Sequence, residues 1–342
     1  MAWSKRKKLI VWSVSVVTVL LILLVVAPYT VSAVVLDKVF GRRFETAEHL
    51  RFEVSDFQGL SCQRYTFKSG ENTLVGYMYC SKNTQPRATV VLSHGFGGGG
   101  QNGYLDVSAY FAACGYEVFA YDATGNDESP SEVGGLPQGI KDELAAIAFV
   151  KKQSKLPIVL FGHSWGGYSA VCALAYDSDV KAVASVAGFT RSTDMIEAKG
   201  VEYAGKISLT LLPYVKSVER IRFGEFASAN GVEAVKKSSA GVFIAHGASD
   251  NVVPTKYGID AYYSAFSKNP RVEFYWSGAG HTAILYSAEG WKYTQTLSAA
   301  IDGAASSAER KKIIDGIDRQ KFSSRLNIQM FQQITDFYER YI

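Results

Sequence analysis

Ile158-Val-Leu-Phe-Gly162-His163-Ser164-Trp165-Gly166-Gly167 is the stretch on which the reading of this chain turns. Residues 158–161 form a short, continuous apolar run, the pattern of a buried strand, and residues 166–176 carry helical spacing. Ser164 stands between them with a glycine two places before and two places after. A strand that passes at once into a helix around G-x-S-x-G lifts the serine hydroxyl above the sheet edge. Glycine is required on both sides because so sharp a turn leaves no room for Cβ atoms. The pentapeptide alone is a weak signal, and its strand–turn–helix setting gives it weight.

The same alternation continues on either side. Apolar runs occur at residues 89–92, 117–121, 180–186, 242–245 and 272–276, with helix-length segments at 104–114, 139–153 and 257–266. Buried runs alternating with helices predict an α/β architecture, a mostly parallel sheet covered on both faces. Residues 60–67 and 73–80 flank Ser69-Gly70-Glu71-Asn72 and predict an antiparallel hairpin, making eight strands. More than fifty residues separate the sixth and seventh runs, where one crossover needs fewer. The apolar spacing of Leu209, Leu211, Leu212, Tyr214 and Val215 suggests a small helical cap at about 190–240; a longer helical crossover is the alternative. Residues 282–327 read as irregular, before an amphipathic helix at 328–341. The domain as a whole is expected over 59–342.

Of 342 residues, 47% are hydrophobic and 20% charged, which excludes global disorder. The formal charge of +4 equals Lys5, Arg6, Lys7 and Lys8, so the remainder sums to zero. A neutral body offers no electrostatic footprint for nucleic acid. Residues 9–36 contain no charge, and 9–27 are almost wholly aliphatic. Nineteen residues at about 1.5 Å each give roughly 28 Å of helix, close to a bilayer's hydrocarbon thickness. The expected order is a basic cytoplasmic N-terminus at 1–8, a transmembrane signal-anchor at 9–29 and a juxtamembrane connector at 30–58, with the domain outside the membrane. The alternative is a signal peptide cleaved near Ala33 and a secreted domain, although a secretory h-region is shorter, about 7–15 residues. Four cysteines contain no C-x-x-C pair, so metal and redox motifs are absent. Cys62 and Cys80 face each other if the hairpin is regular, as a disulfide or as two free thiols, while Cys114 and Cys172 read as core.

A serine needs a base, and there are five histidines. His49 precedes the sheet, and His163 adjoins Ser164 and should point away from it. His94 and His246 sit in His-Gly pairs at strand ends, where structural hydrogen bonding is expected. His281 remains, in Ser277-Gly-Ala-Gly-His281-Thr282 after the last strand. Asp250, in His246-Gly-Ala-Ser-Asp250-Asn-Val-Val-Pro254, is the expected partner that holds its tautomer. Asp194 and Asp127 are competitors on the cap and on an earlier loop. Backbone N–H groups of Trp165 and Phe96, the latter in Ser93-His94-Gly95-Phe96-Gly97-Gly98-Gly99-Gly100, are the expected oxyanion donors. No Gly-Lys-Ser/Thr follows that loop, so it is not a phosphate-binding P-loop. Tyr168 and Phe189, with Phe96 and Trp165, are candidate lining for an acyl pocket or ordinary core aromatics.

Through HGFGGGG, YDATGNDES, GHSWGG, HGASDNVVP and GAGH, residues 60–290 resemble α/β-hydrolases of the serine esterase, lysophospholipase and acyl-peptidase-like group. The order Ser164, Asp250, His281 matches that fold and excludes the chymotrypsin and subtilisin orders. The resemblance implies a Ser-His-Asp triad and neither metal nor organic cofactor. Tyr121 to Ser129 departs from the group's D-x-R-G-x-G-x-S pattern, with Thr124 for Arg and Asp127 for the second Gly. The expected activity is hydrolysis of a carboxylic ester, of a lipid or other small acyl substrate. Amide or peptide hydrolysis and acyl transfer use the same apparatus, and a catalytically silent membrane-tethered binding protein is the alternative of a different class. Full-length protein is expected to stay with the membrane fraction through a high-salt, alkaline wash; release into the soluble fraction would instead point to cleavage near Ala33.

Overall fold

The computed structural model describes residues 4–342. One helix runs over Lys5–Phe40, with a π-helical stretch at Ile22–Val26. Over its most apolar window mean hydropathy is 3.0 and nothing is buried, so length and composition suffice to cross a membrane, as a signal-anchor or a signal sequence would. Its buried residues are Ser32, Leu36 and Phe40, whose spacing of four places them on one face. Leu36 and Phe40 join the core, while Val31, Val34, Val35 and Val39 point outward. Pro28, in the turn that follows, has no N–H to donate, and the Tyr214 hydroxyl donates to the Leu24 carbonyl. Further along, Arg222 pairs with Asp37 at 2.8 Å.

Eight strands form a single sheet: β1 Leu60–Ser69, β2 Asn72–Ser81, β3 Thr89–Ser93, β4 Glu117–Asp122, β5 Ile158–His163, β6 Val180–Val186, β7 Gly241–Gly247 and β8 Val272–Ser277. Their order is β1-β2-β4-β3-β5-β6-β7-β8, with β2 antiparallel to both neighbours and the rest parallel. β3, β5 and β7 are buried at every position, as strands covered on both faces must be. From β3 the chain turns to β4 on one side and then to β5 on the other. The loops leaving β3 and β5 therefore part at the carboxyl edge, and a crevice opens between them.

Helices cover both faces. Ile140, Ile147 and Val150 of Gln138–Gln153 share one core cluster with Trp165–Ala173, and Leu105–Ala113 shares the other with Ile328–Tyr338. Phe331, fully buried against Phe111 and Phe161, contributes roughly 1.5–3 kcal/mol by leaving water. The insertion after β6 holds the helices Ser192–Ala204 and Leu212–Phe223, joined by a 3-10 stretch at Gly205–Leu211. Its expected apolar stripe divides: Val215, Val218 and Phe223 are buried, whereas Leu209 is exposed. The following helix, Gly231–Lys237, buries Ala234 and Val235 in the core and acts as the return crossover.

Two expectations require correction. Residues 282–327 are helical for much of their length, in Ala288–Gly303, Ser307–Asp315 and Arg319–Ser323; their many charged and small residues hide the pattern. In the hairpin, Ser69 pairs with Asn72 across a two-residue turn. Cys62 therefore faces Tyr79, and Cys80 faces Ser61. A one-residue offset puts the two thiols on opposite faces of the sheet, and both are free. Unfolded without reductant, the protein should react with maleimide at both Cys62 and Cys80; a pair protected until reductant is added would contradict this register.

Candidate active site

β5 ends at His163 and a helix starts at Trp165, so Ser164 alone makes the turn. Its backbone at φ 55 and ψ −116 lies where a residue with a side chain is strained, by on the order of 1–3 kcal/mol. A Cβ on Gly162 would lie 2.2 Å from the Gly166 carbonyl oxygen, and one on Gly166 2.1 Å from that of Ser93. Glycine at both positions lets the turn close onto the end of β3. The Ser164 amide, free of the helix, donates to the Val186 carbonyl at 2.8 Å.

The structure brings Ser164, His281 and Asp250 together from three different loops. His281 Nε2 lies 2.9 Å from Ser164 Oγ, and its Nδ1 lies 2.7 Å from Asp250 Oδ2. With Nδ1–H donating to the carboxylate, Nε2 is left to accept the serine proton. Asp250 Oδ1 accepts from the amides of Val252 and Val253 at 2.9 and 2.8 Å. The buried His246 adds Nε2 at 3.2 Å from Oδ2 and 3.0 Å from the Val253 carbonyl. Burial would raise the Asp250 carboxyl, but the bonds from His246, His281 and Val253 outweigh it and hold the group well below the usual carboxylate range. Asp250 thus stays ionised beside the imidazole.

Among the described residues His163 makes no hydrogen bond to Ser164, but its ring lies 4.9 Å from that of His281. It ties two loops together: Nδ1 accepts from Tyr104 Oη at 2.7 Å, and Nε2 donates to the His281 carbonyl at 3.1 Å. The Gly95 amide donates to the same Tyr104 oxygen at 3.1 Å. Burial and the neighbouring His281 depress the His163 pKa to about 3, so its ring is neutral. His94 is structural, accepting from the Ala123 amide at 3.0 Å and reaching the Gly95 carbonyl at 2.8 Å.

The loop after β3 is held by the connector that follows the N-terminal helix. Thr46 donates to Asp127 with both amide and hydroxyl at 2.7 Å, and the Gly100 amide donates to the same carboxylate at 3.0 Å. Arg51 closes on Asp127 at 3.2 Å. The Phe96 ring meets Phe40 at 5.4 Å, Phe44 at 4.8 Å and Trp165 at 5.8 Å between centroids. The rings of Phe96 and Trp165, the residues expected to supply the oxyanion N–H groups, are thus in contact. Sequence reading placed Asp127 among competitors for the base's partner; its position shows a clamp instead. It also missed Thr46, Phe40 and Phe44, because nothing in a connector's composition says which loop it will grip.

Residues 84–229 match the family described as serine aminopeptidase, S33. A quorum-quenching protein, AidA, of Acinetobacter baumannii is 28% identical over 130 residues, 36% of this chain and 43% of that protein; the match thus spans less than half of that relative's length. An esterase structure from Pyrococcus furiosus superposes with a TM-score of 0.56 at 17% identity, covering 76% of this chain and 96% of that one. The acylaminoacyl peptidase of Pyrococcus horikoshii gives 0.54 at 16% identity, covering 84% of this chain and 43% of that one. The sheet order, the turn at Ser164 and these superpositions agree. The chain has the α/β-hydrolase fold.

In this fold the two expected pocket rings pack as core. Tyr168 is fully buried and stacks on the buried Phe189 at 4.6 Å, which leaves neither face open to a ligand. Asp194 is pinned at the start of the insertion by Arg191 and Thr190. Among the described residues no group of three His, Cys, Asp or Glu side chains is arranged to hold a metal ion.

Beneath the β3 loop lies a buried carboxyl. Glu143 accepts from Ser93 and from Tyr121, the latter at 2.8 Å, and its Oε1 has no partner. Burial pushes its pKa up to about 7, against the opposing effect of those two hydroxyls. Asp122 and Glu219 are likewise raised to about 7 by burial. An unfolded glutamate titrates near 4.3, so between about 4.3 and 7 the folded chain binds more protons than the unfolded one. Stability contributed by these groups is full below that window and falls as pH rises through it. Glu143→Gln is expected to flatten this fall without removing it, as thermal unfolding measured across the window would register.

Proposed function

We propose that the chain is a serine hydrolase that cleaves a carboxylic ester through an acyl-enzyme. The observation that carries this reading is the unbroken hydrogen-bond chain from Ser164 through His281 to Asp250, set at a strained turn above the sheet edge. In the proposed cycle His281 Nε2 takes the Ser164 proton as Oγ attacks the carbonyl carbon. The C=O π bond becomes an oxyanion facing the Phe96 and Trp165 N–H groups. As the intermediate collapses, the imidazolium returns its proton to the leaving alcohol. Water then repeats the sequence on the acyl-serine and releases the acid. Asp250 fixes the imidazole tautomer and stabilises the imidazolium without itself taking the proton. Among the described residues no acceptor is found for the Phe96 amide, which is what a donor reserved for substrate requires.

The family description, serine aminopeptidase, favours a second reading in which the scissile bond is an amide. The same steps serve it, with an amine as leaving group. An apolar N-terminal helix whose last turn touches Phe96 supports the ester reading, through proximity to acyl chains. In this reading the helix remains in place as a single-pass anchor with the domain outside the cell membrane.

Wild-type protein should be labelled covalently by a fluorophosphonate, and Ser164→Ala should not. Asp250→Asn should lower kcat by about 10⁴ with little change in KM, because it leaves the wrong tautomer facing the serine. A folded wild-type chain that resists the probe would remove the serine-hydrolase reading. A panel of p-nitrophenyl esters beside aminoacyl anilides decides which bond is cleaved.

A further inference from the structure

The helix Lys5–Phe40 is longer than a membrane's apolar core requires. Its charge-free run has 28 residues, 9–36, which at about 1.5 Å each span about 42 Å. The hydrocarbon core is about 30 Å thick, and about 40–45 Å with both headgroup layers. Counted from Lys8, the Leu24 carbonyl lies about 24 Å along the helix, short of the far edge of the hydrocarbon. Tyr214, from the insertion, donates to that carbonyl. A polar contact at that depth has no competing water, and the insertion brings a donor to the anchor there.

The insertion therefore reaches along the anchor to the outer boundary of the acyl chains, and its composition suits that boundary. Tyr203 is 83% exposed and Ile207 72%, and Leu209 is exposed near them; large apolar residues this open to water, gathered in one short stretch, mark a contact surface. Val31, Val34 and Val35 of the anchor are exposed in the same way. From residue 203 to 224 the charges are Lys206, Lys216, Arg220 and Arg222 against one acid, Glu219, which is buried. Arg222 is taken by Asp37; apolar tips with Lys206, Lys216 and Arg220 to extend to phosphates, and tyrosines at the boundary, are what an interfacial segment needs.

We infer that residues 203–211 of the insertion form a second membrane-contacting face, seated in the outer headgroup layer beside the anchor, so that the site receives its substrate from the lipid phase. The inference rests on the anchor and hydrolase readings above. It narrows the substrate to an ester with an acyl chain long enough to partition into a bilayer. Phe40 carries the geometry inward, since the end of the same helix packs on Phe96 beside Ser164.

The test uses the full chain reconstituted in mixed phosphatidylcholine–phosphatidylglycerol vesicles. In a background of Cys62→Ser, Cys80→Ser and Cys114→Ala, an environment-sensitive fluorophore is attached at Ile207→Cys or at Lys311→Cys. Lys311 is exposed on a helix whose Ile313 and Ile314 pack on the opposite core cluster. Emission from position 207 should shift to the blue and be quenched by headgroup-labelled nitroxide lipid, while position 311 behaves as in water. Equal, water-like behaviour at both positions overturns the inference. Separately, Ile207→Glu with Leu209→Glu should lower the ratio of vesicle-dissolved p-nitrophenyl palmitate hydrolysis to soluble p-nitrophenyl acetate hydrolysis by about tenfold, the factor one buried aliphatic side chain contributes. An unchanged ratio counts equally against it. Fluorophosphonate labelling of the same samples separates the two failures: an unlabelled protein with a quenched probe at 207 loses the hydrolase reading and keeps the membrane face.

Discussion

Everything at the carboxyl edge of the sheet depends on how closely the turn at Ser164 approaches the end of β3. A methyl group at Gly166 would strike the Ser93 carbonyl, and one at Gly162 would strike Gly166 itself. The turn and the β3 loop are wedged together, so the positions of Ser164, Trp165 and Phe96 are not independent. Strain of on the order of 1–3 kcal/mol at Ser164 persists because β5 is held between its parallel neighbours β3 and β6, and the Val186 carbonyl holds the amide of the turn. The hydroxyl's placement is set by backbone packing rather than by anything the serine side chain does.

Around that wedge the polar groups are arranged so that each loop is tied to another. Asp250 receives two histidines, one facing Ser164 and one buried behind it. His163 joins the β3 loop to the His281 loop through Tyr104. Asp127 joins the same β3 loop to the connector. Chains of hydrogen bonds in a poorly solvated interior stiffen one another, and here they link all the loops that meet at the crevice.

Much of this was legible from sequence, and the reasons differ by residue. The strands were readable because a sheet covered on both faces needs continuous apolar runs, and Ser164 because a strand and a helix bracket it. His281 emerged because only five histidines had to be sorted, and Asp250 because of where it falls after β7. What stayed hidden depends on three-dimensional approach. One residue of register separates Cys62 from Cys80, and a turn of two residues rather than three decides it. The departure at Asp127 looked like a defect in a family pattern until Thr46, eighty-one residues away, proved to be its partner. The helices within 282–327 are amphipathic too weakly to stand out from a loop. The same holds for the insertion, where apolar spacing marked a helix but could not say which residues face outward.

The helix Lys5–Phe40 meets the domain at two heights, Leu24 with Tyr214 and Asp37 with Arg222. Thirteen residues separate those points, about 20 Å along the axis. Two attachments that far apart leave no swivel, so the helix is a lever arm rather than a tether. A helix in a bilayer tilts to match the local thickness. Were this helix held in a bilayer as proposed, the whole sheet, with the crevice above Ser164, would have to lean with it, and bilayer thickness would become a mechanical setting of the direction in which the crevice opens.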